Sequence, residues 1–276
     1  MSGGSSDALQ SASIDGGEPR LAAGLNALGL VAFYVALLVA WQVLVPLLKV
    51  PAYVVPVPSD IIMALVRGVA SGQYLSDLAV TLTEMLLGFA IASALGILMG
   101  ALIVEVRLVE RLIYPLIVAV QSLPKIALAP LLLIWIGFGL ASKVAMAALI
   151  AFFPVLVNTA TGLRSCDSDM YQLFDSLQAS RLQALWHLKL PAAAPYIIAG
   201  LDVAFVFALL GAIVGEFLGA SAGLGYAILQ LQFQLDTAGV FAILVLLAGI
   251  GICGHTAIRA IGRRVAFWQA SAVGSR

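Results

Sequence analysis

"SRLQALWHLKLPAAAPYIIAGL", residues 180–201, begins as a charged amphipathic helix and then runs through two prolines into an apolar stretch. Its surroundings are far greasier. With 62% hydrophobic and 10% charged residues and a mean hydropathy of +1.09, the 276 residues hold too little polar surface to cover a water-soluble globule. The chain belongs in a bilayer, and a polar piece in its middle must stand outside the spans.

A helical span needs roughly 20 mostly apolar residues, because in lipid every backbone donor and acceptor pairs within its own segment. Six stretches qualify, near residues 27–48, 79–104, 112–137, 144–163, 196–218 and 238–261. The fold class is therefore all-α integral membrane, with six transmembrane helices and a helix-turn-helix between spans four and five. The three prolines of "KVPAYVVPVPSD" (49–60) cannot sit inside a regular helix and read as an extended loop. Residues 1–22 are read as a disordered cytosolic tail, and no cleavable export signal is visible in them. Residues 23–76 carry the first span and the Pro-rich outer loop, residues 77–265 the transmembrane core, and residues 266–276 a cytosolic C-terminal tail.

Lys and Arg set the orientation. With a cytosolic N-terminus, that side receives ten of the fourteen basic residues, and the outside receives Lys49, Arg67 and Lys143. Both termini and residues 164–195 are then cytosolic. The net charge of +0 argues against a nucleic-acid partner, which needs a basic excess. Cys166 and Cys253 have no metal spacing and read as small apolar residues. His187 and His255 are isolated, so no metal and no cofactor are expected.

Within the polar piece, Asp167 and Asp169 suit a helix start, and Met170, Leu173, Phe174 and Leu177 recur on one face. Ser180 and Gln183 form the S-x-x-Q pattern of a capping box. Leu182, Leu185 and Trp186 give the second helix its own apolar face, and Pro191 is expected to end it. Periodicity alone leaves an amphipathic hairpin resting on lipid as an equal reading.

The sequence of this piece resembles the cytosolic loop of binding-protein-dependent ABC-transporter permeases, whose pattern is E-A-A, three residues, Gly, nine residues, I-x-L-P. Leu188, Leu190 and Pro191 fall on the I-x-L-P positions, Gln178 stands at the Gly, and Gln172, Leu173 and Phe174 replace E-A-A. Further stretches look like successive segments of the nitrate, sulfonate and taurine branch of that family: "TLTEMLLGFAIASALGILMGALI" (81–103), "SLPKIALAPLLLIWIGFGLASK" (122–143), "AFFPVLVNTATGLRS" (151–165) and "GAIVGEFLGASAGLGYAI" (211–228). Together they cover roughly residues 77–265.

The resemblance implies a type I ABC importer transmembrane domain in a bacterial inner membrane, working as one of a pair. Its partners would be an ATP-binding subunit and a periplasmic or extracellular substrate-binding protein. The chain has no G-x-x-x-x-G-K-[ST] loop, so ATP chemistry would lie on another chain and this one would be no enzyme. Leu173, Phe174, Leu177, Gln178, Ala179, Ser180, Trp186, Leu188, Leu190 and Pro191 would couple to the ATPase. A secondary transporter or channel would also explain six spans, but it gives the loop no task.

Lys125, beside Pro124 in span three, is the candidate for a translocation cavity, where it would favour an anion. Gln121 and Asp202 are assigned to the same path. Glu84 departs from the branch's T-L-x-R pattern, and near a span end it is expected to reach water. Asn158 is expected to hydrogen-bond between helices. Glu216 and "GASAGLGY" read either as part of an outer gate or as a turn.

Overall fold

The structure, a computed structural model, describes residues 18–265. Of the tail expected at 1–22, residues 1–17 lie outside those residues, as does the tail expected at 266–276, while residues 18–22 are not a tail but the start of the first helix. Helix α1 (Glu18–Leu47) is followed by α2 (Pro58–Ala70), α3 (Gln73–Glu105), α4 (Arg107–Gln121), α5 (Ala129–Ile136) and α6 (Leu140–Arg164). Next come α7 (Ser168–Ser176), α8 (Arg181–Ala184), α9 (Leu190–Gly219), α10 (Leu224–Phe233) and α11 (Thr237–Val265). Among the described residues five helices are long and apolar enough to cross a membrane, and the bent pair α4 and α5, taken as one span, brings the number to six.

The centre of the bundle is α3, α6 and α9, and small residues let these backbones approach. A Cβ added at Gly88 of α3 would stand 2.5 Å from the Ala147 Cβ, and one at Gly211 of α9 would stand 2.6 Å from the Ala147 Cα. Helix α6 is thus held between two glycine faces. Gly88, Ala92, Gly96 and Gly100 recur every four residues on the buried face of α3, a small-residue stripe that replaces the hydrophobic driving force absent between helices in lipid. Helix α1 stands apart. Its apolar residues from Leu30 to Val39 are exposed all round, as a lipid-facing span requires. A T-shaped Trp41–Phe241 pair at 6.2 Å and a Gln42–Ser59 hydrogen bond of 3.0 Å fasten its C-terminal end.

Span three is not one helix. Helices α4 and α5 meet at 93° across Ser122–Pro124 and a 3₁₀ turn, Lys125–Leu128. Pro124 and Pro130 each withhold a backbone donor, so the ladder breaks where the sequence places them. Two short helices were not evident from hydropathy. Helix α2 lies in the expected loop region, started by Pro58 at its first turn. Helix α10 follows the sharp turn at Gly223, whose φ of +112° is open to glycine at little cost.

Asn158 bonds within its own helix, to the Pro154 carbonyl at 2.8 Å, and not between helices. The carbonyl lies one turn back, within reach of a short amide side chain, while on the neighbouring α9 the close approach is Gly200, which offers no side chain.

The polar segment folds by its own caps. Asp167 accepts the Asp169 N–H at 2.8 Å to start α7. At the other end the Ala179 N–H reaches the Phe174 carbonyl (3.0 Å) and the Gln178 N–H the Asp175 carbonyl (2.9 Å), which is a Schellman closure. That closure places Gln178 at φ +55°, the left-handed conformation that the family's glycine adopts freely. Gln178→Gly is therefore expected to raise stability by about 1 kcal/mol, read as a higher thermal midpoint of the purified protein. An unchanged or lower midpoint would show that the turn carries no strain.

The capping box is formed: the Ser180 Oγ accepts the Gln183 N–H (3.3 Å) and the Gln183 Oε1 accepts the Ser180 N–H (2.8 Å). Pro191 does not end the second helix. Helix α8, a π turn over Leu185–Lys189 and α9 follow without a gap, giving an unbroken run from Arg181 to Gly219. The Leu190 N–H bonds back to the Leu185 carbonyl, so the ladder is offset by one residue just before Pro191. That extra residue absorbs the missing donor and the ring clash that would otherwise stop the helix.

Candidate functional site

Two regions carry the chemistry-bearing residues: the α7–α8 unit and the polar groups within the bundle. On the first, Leu173 is 51% exposed, Leu177 70% and Trp186 63%. Phe174 and Ala179 are half-buried beneath them, with Gln178 and Ser180 exposed at the turn. Leu188, Leu190 and Pro191 are half-buried where the run enters α9, so they support the exposed face and do not form it.

The sequence reading missed two ion pairs, one that fixes this unit to the core and one that braces α6 against α4 at its root. Lys189 Nζ stands 2.6 Å from Glu105 Oε1 at the end of α3, and 5.1 Å from the Tyr171 ring centroid. Arg164 reaches Glu110 of α4 at 2.6 Å and lies over Tyr114. Half-buried Cys166, outside the spans, has its thiol pushed above the ordinary value, chiefly by burial. It stays a neutral packing group.

Of the path residues, Lys125 opens the 3₁₀ turn with its Nζ 4.6 Å from the Phe153 ring centroid, a cation over an aromatic face. Gln121 is exposed at the end of α4, just before the bend. Asp202 is not brought to Lys125. Its carboxylate meets α11, with His255 Nδ1 at 2.7 Å and Arg259 Nε at 3.8 Å, so His255 is not isolated.

Glu84 and Lys143 do not reach water. Glu84 is 1% exposed and Lys143 7%, and they pair at 3.2 Å between α3 and α6. Placing them near span ends did not expose them, because each faces another helix. Glu216, also 1% exposed, accepts from the Thr81 hydroxyl at 2.6 Å and from the Gly225 N–H. The Leu224 N–H donates to Thr81 Oγ1 (2.8 Å) and the Gly223 N–H to Asp77 Oδ1 (3.0 Å). The first amides of α10 are thus capped by side chains from α3 and α9. Of this cluster the sequence reading singles out Glu84, Glu216 and the "GASAGLGY" turn, but not Asp77 or Thr81.

Comparison with known proteins gives this geometry a family. Residues 92–267 match the model for "Binding-protein-dependent transport system inner membrane component". The chain is 37% identical over 237 residues to the formylaminopyrimidine transport permease protein ThiX of Halalkalibacterium halodurans, covering 86% of this chain and 94% of that protein. It is 32% identical over 231 residues to the aliphatic sulfonates transport permease protein SsuC of Bacillus subtilis, covering 84% of each. In three dimensions it resembles a chain of the inward-facing MetNI methionine ABC transporter, with a TM-score of 0.57 at 20% identity over 74% of this chain and 97% of that one. The exposed helix-turn-helix tied to the end of α3, the apolar spans and these similarities agree: the chain belongs to the binding-protein-dependent transport family of ABC-importer permease subunits, in its nitrate, sulfonate and taurine branch.

Proposed function

We propose that this ABC-importer permease subunit works as one half of a homodimer in a bacterial inner membrane, with both termini and the α7–α8 unit in the cytosol. The exposed face of Leu173, Leu177 and Trp186 docks on the ATP-hydrolysing subunit, and Lys125 and Gln121 line the path of a small anionic solute delivered by a binding protein. Asp202, held by His255 and Arg259, positions α9 against α11 beside that path. The single observation that supports the coupling role is an apolar face standing free of the core on a unit anchored to α3 by the Lys189–Glu105 pair. Motion imposed on that face is transmitted to α3 through Lys189–Glu105 and to α9 through an unbroken helix.

For the orientation, a cysteine placed at Ser180 should resist impermeant reagents in intact cells and react after the membrane is opened. Reaction in intact cells would invert the topology. Basic residues favour the cytosolic placement, with ten of fourteen on that side.

The anion preference rests on Lys125, which has no carboxylate within ion-pair distance among the described residues. Two such ammonium groups around one path would attract an anion in a partly dehydrated site. The attraction must stay weak enough for release, so most affinity belongs to the binding protein. In vesicles holding the permease, its ATPase and binding protein, Lys125→Ala should lower uptake of an aliphatic sulfonate about tenfold, and Lys125→Arg about twofold. Uptake by Lys125→Ala equal to the parent would make the lysine structural and remove the anion preference.

A further inference from the structure

We propose that the junction of α3, α4 and the α7–α8 unit is a binding pocket for the phosphate of an anionic phospholipid. A hollow of about 410 Å³ opens there, lined by Glu105, Val106, Arg107, Tyr171, Arg181 and Lys189. Three cations face one carboxylate. The Lys189–Glu105 pair neutralises one of the three, which leaves Arg107 and Arg181 without a carboxylate partner among the described residues. Two uncompensated guanidinium groups on one hollow suit a phosphate, whose oxygens they can grip in pairs.

The backbone adds to this. Val106 is extended (φ −117°, ψ 100°) and separates α3 from the fifteen-residue α4, and its side chain offers α4 no capping acceptor. The first-turn amides of α4 therefore lie uncapped at the edge of the hollow, and the positive end of the helix favours an anion there. Glu110, the acidic residue of that turn, is occupied by Arg164.

The source of the phosphate follows from what adjoins the hollow. Leu108, Leu112 and Leu116 are 66%, 62% and 63% exposed and stand four residues apart, so they form one apolar track along α4 that begins at the residue after Arg107 of the hollow. Its span is about 12 Å at 1.5 Å per residue, long enough to hold much of an acyl chain. A phosphate on Arg107 and Arg181 with a chain on this track is an anionic lipid, and basic pockets at the ends of spans take such headgroups. The occupant touches both sides of the joint: Arg107 belongs to the core, while Tyr171, Arg181 and Lys189 belong to the coupling unit. A bound headgroup would brace one against the other. Its assignment to the inner leaflet rests on the cytosolic placement proposed above.

The test uses the complete permease–ATPase complex in nanodiscs of phosphatidylcholine with a minor fraction of phosphatidylglycerol, and counts retained lipids by native mass spectrometry. Phosphatidylglycerol should be retained in preference to phosphatidylcholine. Arg107→Gln should lower that preference about fivefold and Arg107→Gln with Arg181→Gln about twenty-five-fold, while Arg107→Lys keeps most of it. Retention unchanged in the double variant would overturn the pocket. Thermal stabilisation of the detergent-solubilised complex by inorganic phosphate, equal to that by phosphatidylglycerol, would assign the pocket to a soluble anion and overturn the lipid. Retention is read by mass in discs that carry the same lipids on both faces, so it stands or falls apart from the topology and the ATPase docking, which fail instead in cysteine labelling and in the coupling variants.

Discussion

Trp186→Glu is expected to abolish transport while the permease still inserts and folds, and the ATPase should then hydrolyse ATP without moving substrate. Trp186 and Leu177 are 63% and 70% exposed, so a charge there costs the free subunit almost nothing. In the assembled transporter the same side chain would be buried against another protein, and an unpaired buried carboxylate costs several kcal/mol. A loss of about 3 kcal/mol corresponds to more than a hundredfold in docking. Large aromatic side chains are frequent anchors of such contacts, whereas Leu177→Glu places the charge beside the Gln178 turn and tests the other end of the same face. Trp186→Phe should keep most transport. The measurement is substrate uptake alongside ATPase rate in vesicles of known protein content. Uptake at the parental level by both Glu variants would mean that the ATPase does not sit on this face.

Hydropathy could reveal the spans because it acts through the bilayer as solvent, which reads each segment by itself. The α7–α8 unit was legible for a similar reason: Asp167, Ser180 and Gln183 cap their helices through neighbours no more than three residues away. Tertiary pairing was not legible in that way. Glu84 finds Lys143 across two helices, Lys189 finds Glu105, and Asp202 finds His255, and none of these distances is encoded in local spacing. Pro191 shows the opposite error, since a local rule predicted a helix end and a π turn absorbed the defect. Gln178 shows where a local rule and a pattern disagree usefully. The family pattern demands a left-handed residue, glutamine resists it, and the Schellman bonds impose it. The stripe Gly88, Ala92, Gly96, Gly100 was present in the sequence as a four-residue repeat, yet its meaning depends on α6 lying opposite. The residues assigned to the path suffer most from this limit, because a cavity between subunits is a property of two chains.

Lys143→Met is expected to destabilise the protein by about 3–5 kcal/mol, the cost of leaving a buried charge without its partner. Glu84 is 1% exposed, its Oε1 holds Lys143 at 3.2 Å, and its Oε2 has no donor at all. The Glu216 carboxyl lies beside it, itself an acceptor engaged by Thr81 and by the Gly225 amide. Removing the ammonium group therefore leaves two carboxyl groups facing one another in a site closed to water. Glu84→Gln should behave differently, although it deletes a charge from the same pair. The amide oxygen can still accept from Lys143, and the amide nitrogen puts a donor where Oε2 stood as an unpartnered acceptor beside the Glu216 carboxyl, so the hydrogen bonds improve as the Coulomb attraction falls. Its expected cost is within about 1 kcal/mol of zero, and in combination with Lys143→Met it should recover most of the loss. For a protein of this size a loss of 3–5 kcal/mol lowers the thermal midpoint in detergent by roughly 10 °C. Equal midpoints for Lys143→Met and Glu84→Gln would show that the pair is solvated and that burial of unlike charges is not what holds the N-terminal parts of α3 and α6 together.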